Sequence, residues 1–193
     1  LKKGHVNSVT AFAVCHHGWS YYPTRVGECH PHLRTMLLPR MLEAAKAADI
    51  EMPVYITVGW NERIARLHPE WVVRNRHGVE LDWKIIDNQR ESWKRVCLNT
   101  PYLDHLAEVT REIMELYHPV GIFYDIIRET PCYCDSCVRT MAARDIDPDD
   151  PRATAKLGTE ILVSAMKKLF DIIQEIRPGT RVYWNGNDRK GRD

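Results

Sequence analysis

PYLDHLAEVTREIMELYHPVGIFYD, residues 101–125, places a helix pattern directly before a strand pattern. Pro101–Tyr117 has apolar residues on one side of a predicted helix, with Asn99 or Thr100 as a candidate cap and proline in the first turn. Val120–Ile127 is short and nearly all apolar, which is typical of a strand buried on both faces. The segment therefore predicts one helix–strand unit of an α/β fold.

The same alternation extends along the chain in both directions. Three further apolar runs predict strands at Val6–Cys15, Pro53–Gly59 and Arg181–Trp184. Spacings of three and four predict helices over Leu33–Asp49 and Ala153–Ile176. Strands that alternate with helices pair in parallel through right-handed crossovers, as in a doubly wound sheet or an eight-fold barrel. Residues 16–31 and 60–100 are predicted as loops.

Composition narrows the possible partners. The chain has 193 residues, of which 44% are hydrophobic and 27% charged, so residues 1–193 are expected to form one globular domain. Twenty-seven basic and 26 acidic residues leave a net charge of +1 with no basic block, which argues against nucleic acid and anionic membrane as partners. No apolar run reaches the roughly 20 residues of a membrane span. The expected partner is uncharged.

Polar and aromatic residues follow each predicted strand. They include Cys15-His16-His17-Gly18-Trp19, Gly59-Trp60-Asn61-Glu62, Asp125, and Trp184-Asn185-Gly186-Asn187-Asp188. Barrel enzymes assemble their sites from side chains at the carboxyl ends of successive strands. No glycine-rich phosphate loop follows any strand, so a nucleotide-binding version of the fold has no support.

Asp125 is the strongest candidate for catalysis. It ends the apolar run Gly121–Tyr124, where rigid surroundings would aim a carboxylate and could tune its protonation. The alternative is a structural acid that pairs with Arg128 or caps the following turn. Glu129 is a weaker candidate because a loop residue is less well aimed.

Histidine and aromatic residues after the first strand suit sugar recognition. His16 and His17 could hydrogen-bond hydroxyl groups, and Trp19, Tyr21 and Tyr22 offer flat faces on which sugar rings pack. The two histidines could instead ligate a metal, or one could be a core residue. Four tryptophans of the second loop could equally be core residues in part: Trp60, Trp71, Trp83 and Trp93.

Clustered cysteines predict a structural metal site. Cys132, Cys134 and Cys137 form a C-x-C-x-x-C array, and Cys97 is the best candidate for the fourth ligand of a tetrahedral zinc ion. The alternative is a group of ordinary buried cysteines. Such clusters favour metal binding over a disulfide framework and suggest a reducing, cytoplasmic location.

Two motifs resemble those of α-L-fucosidases. Residues 9–24, VTAFAVCHHGWSYYPT, resemble the second-strand motif with its paired histidines, and residues 117–125 resemble the fourth-strand motif whose aspartate is the nucleophile. Cys97 and the cysteine array resemble the four-cysteine zinc site of family 42 β-galactosidases. Together these features are similar to bacterial hypothetical glycosyl hydrolases of the fucosidase-like barrel type, over residues 6–188.

The resemblance implies an α/β fold of (β/α)8 TIM-barrel type that is partial here, with about strands two to five and outer helices. It implies a retaining glycoside hydrolase with fucosidase-like or galactosidase-like substrates, in which Asp125 attacks the anomeric carbon. The second carboxylate would be Glu62, Glu129 or one outside the chain. Sugar-lining residues would be His16, His17, Trp19, Tyr22, Trp60, Asn61 and Asn185.

Two other functions stay open. Asp125 could be the acid/base catalyst, as in β-galactosidases, or the chain could be a zinc-stapled carbohydrate-binding or assembly module without turnover. Four strands would also leave the edges of a barrel open. We therefore expect the chain either to self-associate or to be accompanied by the missing half of the barrel.

Overall fold

The computed structural model describes residues 1–81 and 93–186. Trp83, Asn187 and Asp188, which the sequence analysis singled out, lie outside these ranges. The strands are β1 (Ala11–Val14), β2 (Trp19–Ser20), β3 (Glu28–Cys29), β4 (Val54–Thr57), β5 (Gly121–Asp125) and β6 (Arg181–Trp184). The α-helices are α1 (Leu37–Ala47), α2 (Glu62–Leu67), α3 (Tyr102–Tyr117), α4 (Asp135–Ala143) and α5 (Pro151–Ile176). Two short 3-10 helices span Lys2–Gly4 and Pro69–Trp71.

The strands form one sheet in the order β3-β2-β1-β4-β5-β6. Among the strands of the described residues, β1, β4, β5 and β6 are parallel to one another, β2 and β3 are parallel, and β1 and β2 are antiparallel. The four strands predicted from sequence are therefore confirmed as a parallel block. Because parallel strands end at the same edge, the residues after β1, β4, β5 and β6 come together there.

The helices cover one face of the sheet. The main apolar cluster joins alternate strand residues, such as Ala11, Ile56 and Tyr124, to residues of α1, α3 and α5, such as Leu38, Ile113 and Leu169. Helices α3 and α5 also pack against each other. Only alternate residues of each strand reach the face that the helices cover, because neighbouring residues of a strand point to opposite sides of the sheet.

The other face carries an aromatic row in strict register. Phe12 pairs with Tyr55, Tyr55 with Phe123, and Phe123 with Tyr183. Adjacent ring centroids lie 4.3, 5.9 and 6.4 Å apart. The outer rings are open to solvent, since Phe12 is 50% and Tyr183 37% exposed. We call these four residues the aromatic row.

A polar layer lies next to the aromatic row, toward the carboxyl ends of the strands. Thr57 pairs with Asp125 in the parallel register, and Asn185 directly follows Trp184, the partner of Tyr124. Stacked layers from neighbouring strands are how the interior of a (β/α)8 barrel is filled.

Several short elements lie inside segments predicted as loops. Strands β2 and β3 form within residues 16–31, and helix α2 forms within residues 60–100. Helix α4 begins directly inside the cysteine array. Helix α5 begins two residues earlier than predicted, because the Asp150 side chain accepts hydrogen bonds from Arg152 N and Ala153 N.

The chain bends sharply after β5. Ile126 has φ 56°, in the left-handed region that a β-branched residue rarely adopts. Two glycines make room for the bend. A Cβ on Gly59 would lie 2.2 Å from Ile126 O, and one on Gly186 would lie 2.8 Å from Ile127 N. The backbone is thus closely packed on both sides of the residue that follows Asp125.

None of the described helices is long and apolar enough to cross a membrane.

Candidate active site

Asp125 lies at the end of β5 with hydrogen-bond donors on both carboxylate oxygens. Tyr55 OH donates to Oδ2 at 2.6 Å, and Asn185 Nδ2 donates to Oδ1 at 2.6 Å. The residue is 9% exposed. Charge-assisted bonds of this kind are stronger than neutral ones and fix the orientation of the carboxylate. Arg95 donates a hydrogen bond to the main-chain oxygen of Arg128 in the loop that follows, and the pairing of Arg128 with Asp125 stays an untested alternative.

His16 approaches Asp125 from the turn after β1. Its Nε2 lies 3.8 Å from Asp125 Oδ2, and its Nδ1 lies 2.9 Å from Thr57 Oγ1. Burial lowers the pKa of His16, an effect that the nearby Asp125 charge opposes and His17 reinforces. The ring is therefore biased toward its neutral form beside a carboxylate.

Indole and imidazole rings form a wall beside this pair. The His16 ring centroid lies 5.2 Å from Trp60 and 5.0 Å from Trp93, and the two indoles stack at 5.4 Å. Trp93 Nε1 donates to His17 Nδ1 at 3.4 Å. The structure thus brings together, beside Asp125, four residues that the sequence analysis singled out: His16, His17, Trp60 and Trp93.

Two residues expected to line a sugar site have other positions. Tyr22 has 0% exposure, packs on Tyr117, and donates to Glu112 Oε2 at 2.9 Å. A ring with no exposed surface cannot pack on a sugar, so Tyr22 is corrected to a core residue beneath α3. Asn61 is 4% exposed and caps α2, accepting from Ile64 N at 3.0 Å. The structure thus gives Asn61 a capping role through Oδ1, and its sugar-binding role stays a prediction.

Trp19 lies farther along the same edge. The guanidinium of Arg63 lies 5.1 Å from its ring centroid, and Glu28 binds that guanidinium at 2.6 Å. The His30 ring is 6.2 Å from the indole. The indole is half-buried, so it keeps an accessible part, and its sugar-binding role stays a prediction.

The two candidates for a second carboxylate differ in their surroundings. Glu62 is held by Arg66 Nε at 2.9 Å and by Lys94 N at 3.3 Å, and its side chain is 15% exposed. Glu129 lies exposed in the loop after β5. Both assignments stay predictions.

Tyr55 and Thr57 were missed as site residues. Both belong to β4, a run that reads as four buried apolar or β-branched residues and gives no polar signal of its own. Their alternation with Val54 and Ile56 places them on the face of Asp125. That period-two pattern is the signal that could have found them.

The four cysteines form a compact cluster. Cys97, Cys132, Cys134 and Cys137 are all buried, and their sulfur atoms lie within 4.8 Å of one another. A tetrahedral zinc with Zn–S bonds of about 2.3 Å places its sulfurs roughly 3.8 Å apart, so the spacing fits a single ion. The cluster links the turn before α3 to the start of α4.

Hydrogen bonds to the sulfurs also fit metal-bound thiolates. Asn99 N donates to Cys97 Sγ at 3.4 Å, Asn99 Nδ2 to Cys137 Sγ at 3.6 Å, and Cys134 N to Cys132 Sγ at 3.4 Å. Contact with Cys132 raises the pKa of Cys97 and Cys137 and lowers that of Cys134, because close thiols cannot all ionise without a cation. A bound divalent ion would remove that conflict.

Comparisons with known proteins point to glycosidases. The family model described as "Hypothetical glycosyl hydrolase 6" matches residues 1–126. The α-L-fucosidase isoenzyme 2 from Paenibacillus thiaminolyticus is 37% identical with a TM-score of 0.89, over 96% of this chain and 28% of that one. The chain thus spans about 28% of the length of this relative. The curated proteins contain no match to the chain.

Two more distant structures share the fold. The β-galactosidase from Rahnella sp. R3 has a TM-score of 0.67 at 14% identity, over 95% of this chain and 32% of that one. A hypothetical protein from Ruminiclostridium thermocellum has a TM-score of 0.63 at 12% identity, over 95% of this chain and 85% of that one. At these identities the likeness concerns the arrangement of strands and helices alone.

Proposed function

Because the chain belongs to the hypothetical glycosyl hydrolase 6 family, we propose that it is part of the catalytic barrel of a retaining glycosidase, with Asp125 as the nucleophile. The observation that carries the proposal is the placement of Asp125. It is a carboxylate held by donors on both oxygens, at the carboxyl edge of four parallel strands. Barrel enzymes place their catalytic groups at this edge.

The half-barrel architecture is supported by the two unlike faces of the sheet. Helices cover one face, as the outer helices of a (β/α)8 barrel do, and the aromatic row and polar layer occupy the other. The row would then be part of a barrel interior. Strands β1, β4, β5 and β6 would correspond to about strands two to five.

In the proposed reaction, one Asp125 oxygen attacks the anomeric carbon while the glycosidic bond breaks. A second carboxylic acid protonates the leaving oxygen, and water later hydrolyses the glycosyl ester. The two carboxyl groups of a retaining pair lie about 5–5.5 Å apart. Glu62, Glu129 or a residue of another segment would supply the acid.

The substrate is proposed to be a fucosyl-like or galactosyl-like glycoside. Trp60, Trp93, His16 and His17 would form the wall against which the sugar ring packs, with imidazole nitrogens within reach of its hydroxyl groups. The fucosidase of 37% identity favours the first of these sugars.

Zinc is the proposed ion of the cysteine cluster, in a structural role. Four thiolates complete a tetrahedral shell, which leaves no open position for substrate. The ion would fix the turn before α3 against the start of α4.

Covalent labelling tests the proposal. Purified protein is incubated with 2-deoxy-2-fluoro-L-fucosyl fluoride, or with the corresponding D-galactosyl fluoride, and analysed by intact mass and peptide mapping. We expect one sugar per chain, attached to Asp125, because fluorine at C2 slows hydrolysis of the glycosyl ester. Asp125→Asn should abolish labelling, whereas Asp171→Asn, a surface carboxylate paired with Lys167, should not.

Three results would count against the mechanism. An adduct mapped to a different carboxylate would remove Asp125 as nucleophile, as would normal labelling of Asp125→Asn. Binding of the sugars with no labelling or turnover by the full protein would favour the carbohydrate-binding module instead. Restoration of turnover by azide in Asp125→Gly, with formation of an inverted glycosyl azide, would separate a nucleophile from an acid/base catalyst.

A further inference from the structure

The hydroxyl of Tyr55 lies at the point where Asp125 and His16 approach each other. Its oxygen is 2.6 Å from Asp125 Oδ2 and 3.2 Å from His16 Nε2. The side chain is largely buried, with 6% of the residue exposed, and its ring is packed between Phe12 and Phe123. Its position is therefore fixed by the sheet and not by the substrate.

The hydrogen-bond pattern around Thr57 fixes the proton on His16. Thr57 Oγ1 donates to Trp60 O at 2.6 Å, because a carbonyl oxygen can only accept. A hydroxyl has one proton, so Thr57 must accept at His16 Nδ1, 2.9 Å away. Nδ1 therefore carries the hydrogen, and Nε2 of the neutral ring is left as an acceptor 3.2 Å from the Tyr55 oxygen, which also lies 3.4 Å from Nδ1.

Tyr55 then has one proton and two acceptors. Burial, followed by its hydrogen bond to Asp125, raises the pKa of Tyr55 well above its usual value, so the phenol stays protonated. The shorter distance and the negative charge both assign that proton to Asp125. His16 Nε2 is left as the second, longer acceptor.

Resting on the glycosidase mechanism proposed above, we propose that Tyr55 is a positioning residue for Asp125. Its hydroxyl holds Oδ2 while Asn185 holds Oδ1, so the plane of the carboxylate is set before the sugar arrives. A group that is already oriented before the substrate binds reacts faster by large factors, because it does not have to be ordered during the reaction.

The same geometry gives Tyr55 a second state. When Asp125 becomes a neutral glycosyl ester, Oδ2 loses its charge and becomes a weaker acceptor. The Tyr55 proton can then turn to His16 Nε2, which already lies at 3.2 Å. No buried hydroxyl is left without a partner in either state, and the return of the proton to Oδ2 accompanies release of the carboxylate.

Labelling kinetics test the positioning role. The rate constant of covalent labelling at saturating fluorosugar and the concentration for half-maximal rate are measured for wild type and Tyr55→Phe. We expect the rate constant to fall about 10- to 100-fold, the range for a hydrogen bond to a charged group, and the half-saturating concentration to change less than about twofold. Tyr102→Phe is the matched control, because it removes a buried hydroxyl that donates to Val58 O at 2.7 Å.

The outcomes separate the two proposals. No labelling of wild type would overturn the proposed function. Labelling of wild type at Asp125 with equal rate constants for Tyr55→Phe and Tyr102→Phe would overturn the role of Tyr55 alone. A rise in the half-saturating concentration with an unchanged rate constant would also overturn it, because that pattern marks substrate binding.

A measurement on wild type keeps the proposal testable if Tyr55→Phe does not fold. The Tyr55 hydroxyl proton is followed by NMR before and after labelling with the fluorosugar. Its resonance should shift when the acceptor changes from carboxylate to imidazole, and His16 Nε2 should shift with it. A hydroxyl resonance that does not respond to labelling would contradict the proposed exchange of acceptors.

Discussion

Two half-buried histidines, His16 and His105, give the folded chain a pH response whose direction follows from their surroundings. Burial is the main cause that lowers the pKa of His16, and the same is true of His105, where His68 adds to the effect. The pKa values of both histidines lie below the ordinary value of 6.5. Above that pH the rings are neutral in both the folded and unfolded states, so their contribution to stability is complete.

Stability should therefore fall as pH drops below 6.5 and through the folded-state pKa values, because the unfolded chain then binds more protons. Urea midpoints measured between pH 7.5 and pH 5 check this. His16→Gln and His105→Gln should each reduce the pH dependence, and the double variant should reduce it further. An unchanged pH dependence in both single variants would contradict the prediction.

At the scale of single residues, the sequence singled out Asp125 and the two histidines, whose catalytic and sugar-binding roles stay predictions, but it misled for two tyrosines. Tyr22 follows a histidine pair and looks available for a sugar, yet it packs under α3 against Glu112. Tyr55 sits in an apolar run and looks like core, yet it holds Asp125. A tyrosine's function depends on which face of its strand it occupies, and that is settled by register with neighbours distant in sequence.

Among the secondary-structure elements, the bend after β5 depends on the small size of Gly59. A Cβ there would lie 2.2 Å from Ile126 O and 2.8 Å from Ile126 Cγ2, so β4 and β5 would have to separate. Gly59→Ala should lower the free energy of unfolding by about 1–3 kcal/mol, as overpacking does. Gly4→Ala, whose Cβ would meet nothing within 4 Å, should change it little. Equal denaturation midpoints for the two variants would argue against this account.

The cysteine cluster joins the turn before α3 to the start of α4. If zinc occupies it, Cys134→Ser should lower zinc content from about one ion per chain toward zero and lower Tm by at least about 5 °C, roughly 2 kcal/mol for a chain of this size. Cys29→Ser, at an exposed cysteine outside the cluster, should retain zinc. Elemental analysis and thermal unfolding measure the two effects, and a zinc-free wild type with six titratable thiols would end the idea.

Elements with a helical repeat or an apolar run were predictable, and elements without either were not. Helices α3 and α5 were predicted because each shows several repeats of the helical period, and strands β4, β5 and β6 because each lies in a short, mostly apolar run. Helix α2 has six residues and β2 and β3 have two each, too few for a period to show. They exist because of tertiary contacts, such as Asn61 at the α2 N-terminus and the pairing of β2 with β1.

For the whole molecule, the exposed aromatic row predicts association. Phe12 and Tyr183 are open to solvent at the outer ends of the row, and large exposed apolar patches are uncommon on soluble monomers. Light scattering of the isolated chain should show a mass above 22.5 kDa that rises with concentration. Phe12→Ser should reduce it.

Phe170→Ser is the matched control, because Phe170 is 45% exposed but belongs to α5 on the helical side. It should leave association unchanged. A cooperative monomer of 22.5 kDa at all concentrations would count against the half-barrel and favour a compact α/β domain.

The left-handed conformation of Ile126 has a consequence for laboratory evolution. A β-branched residue held at φ 56° costs roughly 1–2 kcal/mol compared with glycine, which adopts this region freely. Selection for heat resistance alone should therefore enrich Ile126→Gly or Ile126→Asn early. Those variants would hold the residue next to Asp125 less rigidly, so a library screened only for survival on heating would lose the fixed placement of the Asp125 carboxylate.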